Sequence, residues 1–193
     1  MKVAIIDYGA GNVQSVKFAL KRVGVEAIVT DDLDIIKGAE RVIFPGVGEA
    51  SAAMSVIRSK GLDQVIRELT QPVLGICLGM QLMCTASAEG DTAGLGIFEE
   101  KVLKFEPFLK VPQMGWNRIT DVKSELLEGV EKEHMYFVHS YFVPKSKYTI
   151  ASCDYIEEFS AALHKDNFYA CQFHPEKSGA KGAVIIENFL KLD

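Results

Sequence analysis

Along the first half of the chain, short unbroken apolar runs alternate with apolar residues at helical spacing. Lys2-Val3-Ala4-Ile5-Ile6-Asp7 is the first run, and Val13, Val16, Leu20 and Val23 follow at three- and four-residue steps before Gly24. The unbroken run fits a strand covered on both faces, and the stripe fits a helix that buries one face. Val25 to Val29, Arg41 to Phe44 and Val73 to Ile76 repeat the strand pattern. Ile35 to Ala39 and residues 50 to 69, interrupted at Gly61, repeat the helical one. This alternation implies right-handed crossovers and a parallel sheet with helices on both faces.

The second half has a different rhythm. Val102 to Phe105, Arg118 to Val122, Met135 to Val143, Thr149 to Cys153, Ser160 to His164 and Phe168 to Phe173 are strand candidates. Several are short and closely spaced, which predicts antiparallel hairpins appended to the sheet. A last helix is expected over about Ala180 to Leu192, burying Val184, Ile185, Phe189 and Leu192. No repeat, linker or low-complexity segment divides the chain. The expectation is one domain over residues 1–193, of α/β class, with a doubly wound, mostly parallel sheet.

Composition narrows the function. With 193 residues, 48% of them hydrophobic and 24% charged, the chain can build a core without disulfide staples. A net charge of −5 argues against a nucleic-acid or anionic-membrane surface. No apolar run is long enough to span a membrane and no leader pattern follows Met1, so the expected compartment is the cytoplasm. The four cysteines, at 77, 84, 153 and 171, form no metal-ligand spacing, and neither a metal nor another cofactor is expected. Cys84, Cys153 and Cys171 lie in apolar segments, as buried structural thiols do.

Cys77 is different. The run Pro72 to Ile76 stops at it, a helix-like stretch from Leu78 to Ala86 begins at once, and Gly75 and Gly79 flank it at i−2 and i+2. That is the pattern of a nucleophile elbow, where a strand turns into a helix too sharply for larger neighbours. A cysteine there sits at a helix start, where the dipole favours thiolate.

A nucleophile needs a base. Of the four histidines (134, 139, 164 and 174), His174 ends an apolar strand and opens His174-Pro175-Glu176. In an extended segment positions i and i+2 share a face, so the Glu176 carboxylate is expected to reach the ring. Cys77, His174 and Glu176 then stand as nucleophile, base and orienter. Phe44-Pro45-Gly46-Val47-Gly48 also follows a strand and so faces the same sheet edge. Backbone N–H groups of Gly46, Val47 or Gly48, with that of Leu78, are expected to form an oxyanion hole. Each signal also has a plainer reading, as a strand end, a buried thiol or a β–α turn; their combination favours catalysis.

Together, Gly75-Ile76-Cys77-Leu78-Gly79-Met80-Gln81 and Phe173-His174-Pro175-Glu176 resemble the class I, triad-type glutamine amidotransferases. The likeness extends along the chain through Asp7-Tyr8-Gly9-Ala10-Gly11-Asn12, Val111-Pro112-Gln113-Met114-Gly115-Trp116-Asn117, Tyr136 to Tyr141 and Gln172 to Gly179. Within the family these segments are similar to the glutaminase subunits of histidine biosynthesis. Gln113 departs from the pattern, where histidine is expected in many members.

The resemblance implies hydrolysis of L-glutamine to glutamate and ammonia. The ammonia would pass to a separate (β/α)8-barrel cyclase subunit, forming a heterodimer with this chain, which makes imidazole glycerol phosphate and AICAR. Gln81, with backbone groups of His139, Ser140 and Tyr141, would hold the glutamine α-substituents. Tyr8, Asn12, Trp116 and Asn117 would face the partner, although Trp116 is equally suited to a core. Competing readings are a glutaminase subunit for another synthase, including a paralogue in surface-sugar biosynthesis, a cysteine peptidase or hydrolase, and a non-catalytic module.

Overall fold

The computed structural model describes residues 1–192. In chain order its principal elements are β1 (Val3–Ile6), α1 (Val13–Arg22), β2 (Ala27–Thr30), α2 (Leu33–Lys37), β3 (Arg41–Phe44), α3 (Ala50–Ser59), α4 (Leu62–Glu68), β4 (Val73–Ile76) and α5 (Leu78–Leu82). The second half holds β5 (Cys84–Ser87), β6 (Thr92–Ala93), β7 (Phe98–Lys104), β8 (Gln113–Arg118), β9 (His134–His139) and β10 (Tyr141–Phe142). It ends with β11 (Thr149–Asp154), β12 (Glu158–Lys165), β13 (Phe168–Cys171) and α6 (Gly179–Lys191).

Seven strands form the main sheet in the order β11-β12-β13-β4-β3-β1-β2. From β13 to β2 every neighbour is parallel, and β12 and β11 extend the sheet antiparallel. Strand alternation divides the core into two layers. Val3, Ile5, Ile43, Leu74 and Ile76 face one side, with Val16 and Leu20 of α1 and Ile185 and Phe189 of α6. Ala4, Ile6, Val42, Phe44 and Val73 face the other, with Met54 and Ile57 of α3 and Leu62 and Ile66 of α4. The unbroken apolar runs reflect this two-sided burial, since consecutive side chains enter opposite layers.

The second half departs from expectation in three places. The helix anticipated from Leu78 to Ala86 ends at Leu82, and Cys84–Ser87 becomes a strand whose ladder with β7 is parallel. Gly94 lies so close over the Cys84 carbonyl that a Cβ there would collide with it, which lets the β5–β6 turn close on that strand. The strand sought at Arg118 to Val122 is instead Gln113–Arg118, paired antiparallel with β9; Gly115, at φ +138°, weakened its strand signal. The apolar stretch Met135 to Val143 breaks at Ser140, where the chain leaves β8–β9 and joins β7 through β10.

Candidate active site

Cys77 stands between the end of β4 and the start of α5, with φ 52° and ψ −106°. Positive φ on a cysteine is strained and is held only where the surroundings fix it. Both flanking glycines are required by neighbours. A Cβ on Gly79 would be driven into the carbonyl oxygen of Phe44 on β3, and one on Gly75 would lie 2.9 Å from the Met83 sulfur. The elbow is therefore clamped between the adjacent strand and the far end of α5.

Sheet register brings the other groups to this edge. Ile76 pairs with Cys171 of β13, and the Cys77 N–H donates to the Cys171 carbonyl at 2.7 Å. Three residues further, His174 Nδ1 donates to Glu176 Oε1 at 2.8 Å, with both side chains closed to solvent. The expectation of an extended His-Pro-Glu segment is corrected here. His174 is extended, but Pro175–Lys177 forms a 3₁₀ turn, and that turn carries the carboxylate round to the ring. Proline suits the first position of a helical turn because its missing N–H has no partner to lose.

The Nδ1–Glu176 bond leaves His174 Nε2 to face the nucleophile. Burial pushes the imidazole down, yet the Cys77 sulfur and the Glu176 carboxylate more than reverse this and raise it to about 10. The arrangement favours an imidazolium beside the Cys77 sulfur. The other three thiols are buried and unbridged. Burial raises each of them, Cys153 to about 12, so they are poor nucleophiles.

Beside Cys77 lies a cavity of about 450 Å³, lined in part by Val47, Gly48, Leu78, Gln81, His139, Ser140 and Tyr141. All of the anticipated glutamine-contact residues border it. Gln81 Nε2 donates to the Tyr141 carbonyl and to Gln172 Oε1, each at 2.9 Å, which aligns its amide. His139 Nδ1 donates to the same Tyr141 carbonyl at 2.7 Å. Burial pushes this histidine down to about 4, so it stays neutral.

Sequence reasoning missed Glu89 and Lys177, which also line the cavity. Glu89 sits in a 3₁₀ turn after β5 and accepts from the Ala50 N–H at 2.9 Å. Partial burial raises its carboxyl above the ordinary carboxylate range, with Glu49 adding to the effect. A cation reaching it would relieve that cost. A lone glutamate between strands carries no sequence signal; only the fold gives it a role.

The loop expected to supply oxyanion donors is closed on itself. Leu78 N–H donates to the Gly46 carbonyl at 3.2 Å, and Tyr8 hydroxyl donates to the Pro45 carbonyl at 2.8 Å. Gly46 is wedged against the Tyr8 hydroxyl and the elbow backbone, where no Cβ fits. Gly48, at φ +115°, has free space around it. Turning the peptide between Gly46 and Val47 would free the Leu78 amide and present the Val47 N–H.

The profile of the family described as "Glutamine amidotransferase class-I" matches residues 4–192. This chain belongs to that family. Among its relatives is the Bacteroides fragilis protein named "Imidazole glycerol phosphate synthase subunit HisH", 60% identical over the full length of both chains. The proteins of the same name from Bacteroides thetaiotaomicron and Escherichia coli K12 are 56% and 48% identical, again over the whole of both chains. A solved structure described as a glutamine amidotransferase superposes with a TM-score of 0.77 at 21% identity, covering 98% of this chain and 97% of that one. PurLQS from Thermotoga maritima gives a TM-score of 0.72 at 16% identity, with the same coverage, and shares the fold.

In this class I amidotransferase two of the anticipated partner-facing residues turn inward. Tyr8 is 6% exposed and packs edge-on against Phe44. Asn12 is 3% exposed, and its Nδ2 donates to Glu176 Oε1 at 3.2 Å. Both are bonded within the site: Tyr8 holds the loop after β3 through Pro45, and Asn12 holds the Glu176 carboxylate. Trp116 is 54% exposed on β8, edge-on to Tyr136, with exposed Met114 two residues away. Strand alternation sends Asn117, half-buried, to the opposite face from Trp116, so its side chain does not join that patch.

Gln113 is fully buried on the inner face of the same strand, against Cys153. Among the described residues its side chain has no hydrogen bond to Cys77, His174 or Glu176. No helix among the described residues is long and apolar enough to cross a membrane.

Proposed function

We infer that this class I amidotransferase is the glutaminase subunit of an imidazole glycerol phosphate synthase, acting as one domain. It hydrolyses L-glutamine and delivers the ammonia to a (β/α)8-barrel cyclase partner. The observation that carries the reading is the cavity at Cys77, backed by the buried His174–Glu176 pair, in a chain 60% identical over its length to the Bacteroides fragilis protein of that name. Soluble action in the cytoplasm, as a heterodimer and without a cofactor, belongs to the same reading.

The geometry performs the chemistry in two halves. Glutamine enters with its α-ammonium toward Glu89 and the Gln81 carbonyl, and its α-carboxylate toward the Ser140–Tyr141 backbone. Cys77 thiolate attacks the side-chain amide carbon, and the charge moves to the amide oxygen, where Leu78 and Val47 N–H groups receive it after the loop turns. His174 gives its proton to the departing ammonia, leaving a thioester. Water, losing a proton to His174, then attacks the thioester carbon; the C–S bond breaks and its electron pair returns to sulfur. The products are glutamate and ammonia. Glu176 keeps the imidazole in the productive tautomer throughout, and Asn12 steadies Glu176.

The exposed Trp116–Met114 patch is the surface offered to the cyclase. The test of the site is labelling by a glutamine-analogue electrophile such as a diazoketone, followed by peptide mass mapping. Label on Cys77 alone, blocked by excess glutamine, is the expected result. Label elsewhere, or none in the presence of the partner, contradicts the reading.

A further inference from the structure

The chain of amide groups behind the nucleophile has a fixed polarity. The Tyr141 carbonyl can only accept, so Gln81 must present its NH₂ there, and its Nε2 also donates to Gln172 Oε1 at 2.9 Å. Gln172 must therefore turn its oxygen toward Gln81 and its own NH₂ toward Cys77. Its Nε2 lies 3.6 Å from Cys77 Sγ, a reach suited to the larger sulfur atom. Reversing the Gln172 amide would set two NH₂ groups face to face and put a carbonyl oxygen against sulfur. His139, donating to the same Tyr141 carbonyl, holds the start of the relay in place.

We propose that Gln172 is a further catalytic residue: a neutral hydrogen-bond donor that steadies the negative charge on Cys77 Sγ. The proposal rests on the reading of Cys77 as the nucleophile. Gln172 is 0% exposed and sits on the residue after β13, where register sets it beside Cys77. A donor in this place matters twice. It favours the thiolate before attack, and it receives the charge again when the C–S bond of the thioester breaks and sulfur leaves with the electron pair. His174 gives its proton to ammonia and regains one only from the attacking water, so it is engaged in proton transfer while Gln172 stays on the sulfur throughout. Because Gln81 borders the cavity, the same relay links glutamine binding to the nucleophile.

Several groups surround the sulfur. They are His174 with Glu176 behind it, Tyr8 from the loop after β1, and the Val138 carbonyl of β9 at 3.8 Å; His139, next on β9, faces His174. The experiment therefore compares variants that leave all of these in place. Iodoacetamide alkylation of Cys77 is followed against pH in the full chain, by peptide mass, for the wild type, Gln172→Met and Gln172→Glu. Gln172→Glu still accepts from Gln81 but offers sulfur no hydrogen.

The alkylation profile should move to higher pH, by about one unit in Gln172→Met and further in Gln172→Glu. That amounts to a rate loss of about tenfold or more on the acid limb of the profile. In the presence of the cyclase, both variants should accumulate the glutamyl thioester. Profiles that coincide with wild type overturn the proposal while leaving Cys77 as nucleophile; a Cys77 that alkylates at no pH in wild type overturns both.

Should the variants fail to fold, the wild type supplies the readout. The side-chain ¹⁵NH₂ signals of Gln172 should shift with the same midpoint as alkylation and lose that response once Cys77 is capped. Signals that ignore the titration count against the donor.

Discussion

The backbone N–H of Leu78 donates to the Gly46 carbonyl at 3.2 Å, so the amide that follows the nucleophile is already occupied. A tetrahedral intermediate at Cys77 would meet a carbonyl oxygen where it needs a donor. The free chain should therefore be a poor glutaminase. Removing one oxyanion donor typically costs about 10²–10³ in turnover, and cyclase binding with its nucleotide should restore about that much. Steady-state glutamate release, with and without the partner, measures it. Full activity in the isolated chain would mean that the loop does not gate the reaction.

Glu89 should matter for binding more than for turnover. Glu89→Gln keeps the bond from the Ala50 N–H but removes the charge offered to the α-ammonium. KM for glutamine should rise by about tenfold with kcat nearly unchanged, the pattern of lost uniform binding. Glutamine analogues lacking the α-amino group should be insensitive to the substitution. A fall in kcat at constant KM would place Glu89 in the chemistry instead.

Much of this site was readable as local pattern. The elbow at Cys77 is written in two glycines and an apolar run, and β1, β3 and β4 are written in residues buried on both faces. What escaped depended on distant packing. Tyr8 and Asn12 look like solvent-facing loop residues until β3 and the Pro175 turn close over them. Glu89 has no neighbour in sequence that marks it. β8 was hidden because Gly115 gives no packing signal and the apolar Met114 and Trp116 project outward. Glu176 reached His174 as expected, although a 3₁₀ turn rather than an extended segment brought it there.

His139 gives a pH signature. Burial among Phe105, Phe137 and Phe159 holds it near 4, below its ordinary 6.5. Between those values the unfolded chain takes up a proton that the folded chain refuses. Stability from this source is thus complete above about 6.5 and falls as pH drops toward 4, by at most about 3 kcal/mol. His174, raised to about 10, acts in the opposite sense: its contribution is full below about 6.5 and is lost as pH rises through 10. Urea unfolding should show a shallower acid-side slope in His139→Gln than in wild type. Parallel curves between pH 4 and 6.5 would exclude a neutral buried His139.

Trp116 has an edge-on neighbour in Tyr136, and the Tyr136 carbonyl accepts the His174 N–H at 2.9 Å. Trp116→Ala should weaken cyclase binding by about 2 kcal/mol, roughly 30-fold, as loss of an exposed aromatic anchor does. The melting temperature of the free chain should barely change, because the ring is not in its core. Calorimetric titration against the cyclase reads the first effect; an unaltered Kd would move the interface elsewhere.

The division of labour between nucleophile and partner is tested most directly by Cys77→Ala in the reconstituted complex, assayed for cyclised product with glutamine and then with ammonium salt. Product formation should vanish with glutamine and persist with ammonium. Retention of the glutamine-driven activity, or loss of both, would contradict the assignment of Cys77 as the source of the ammonia.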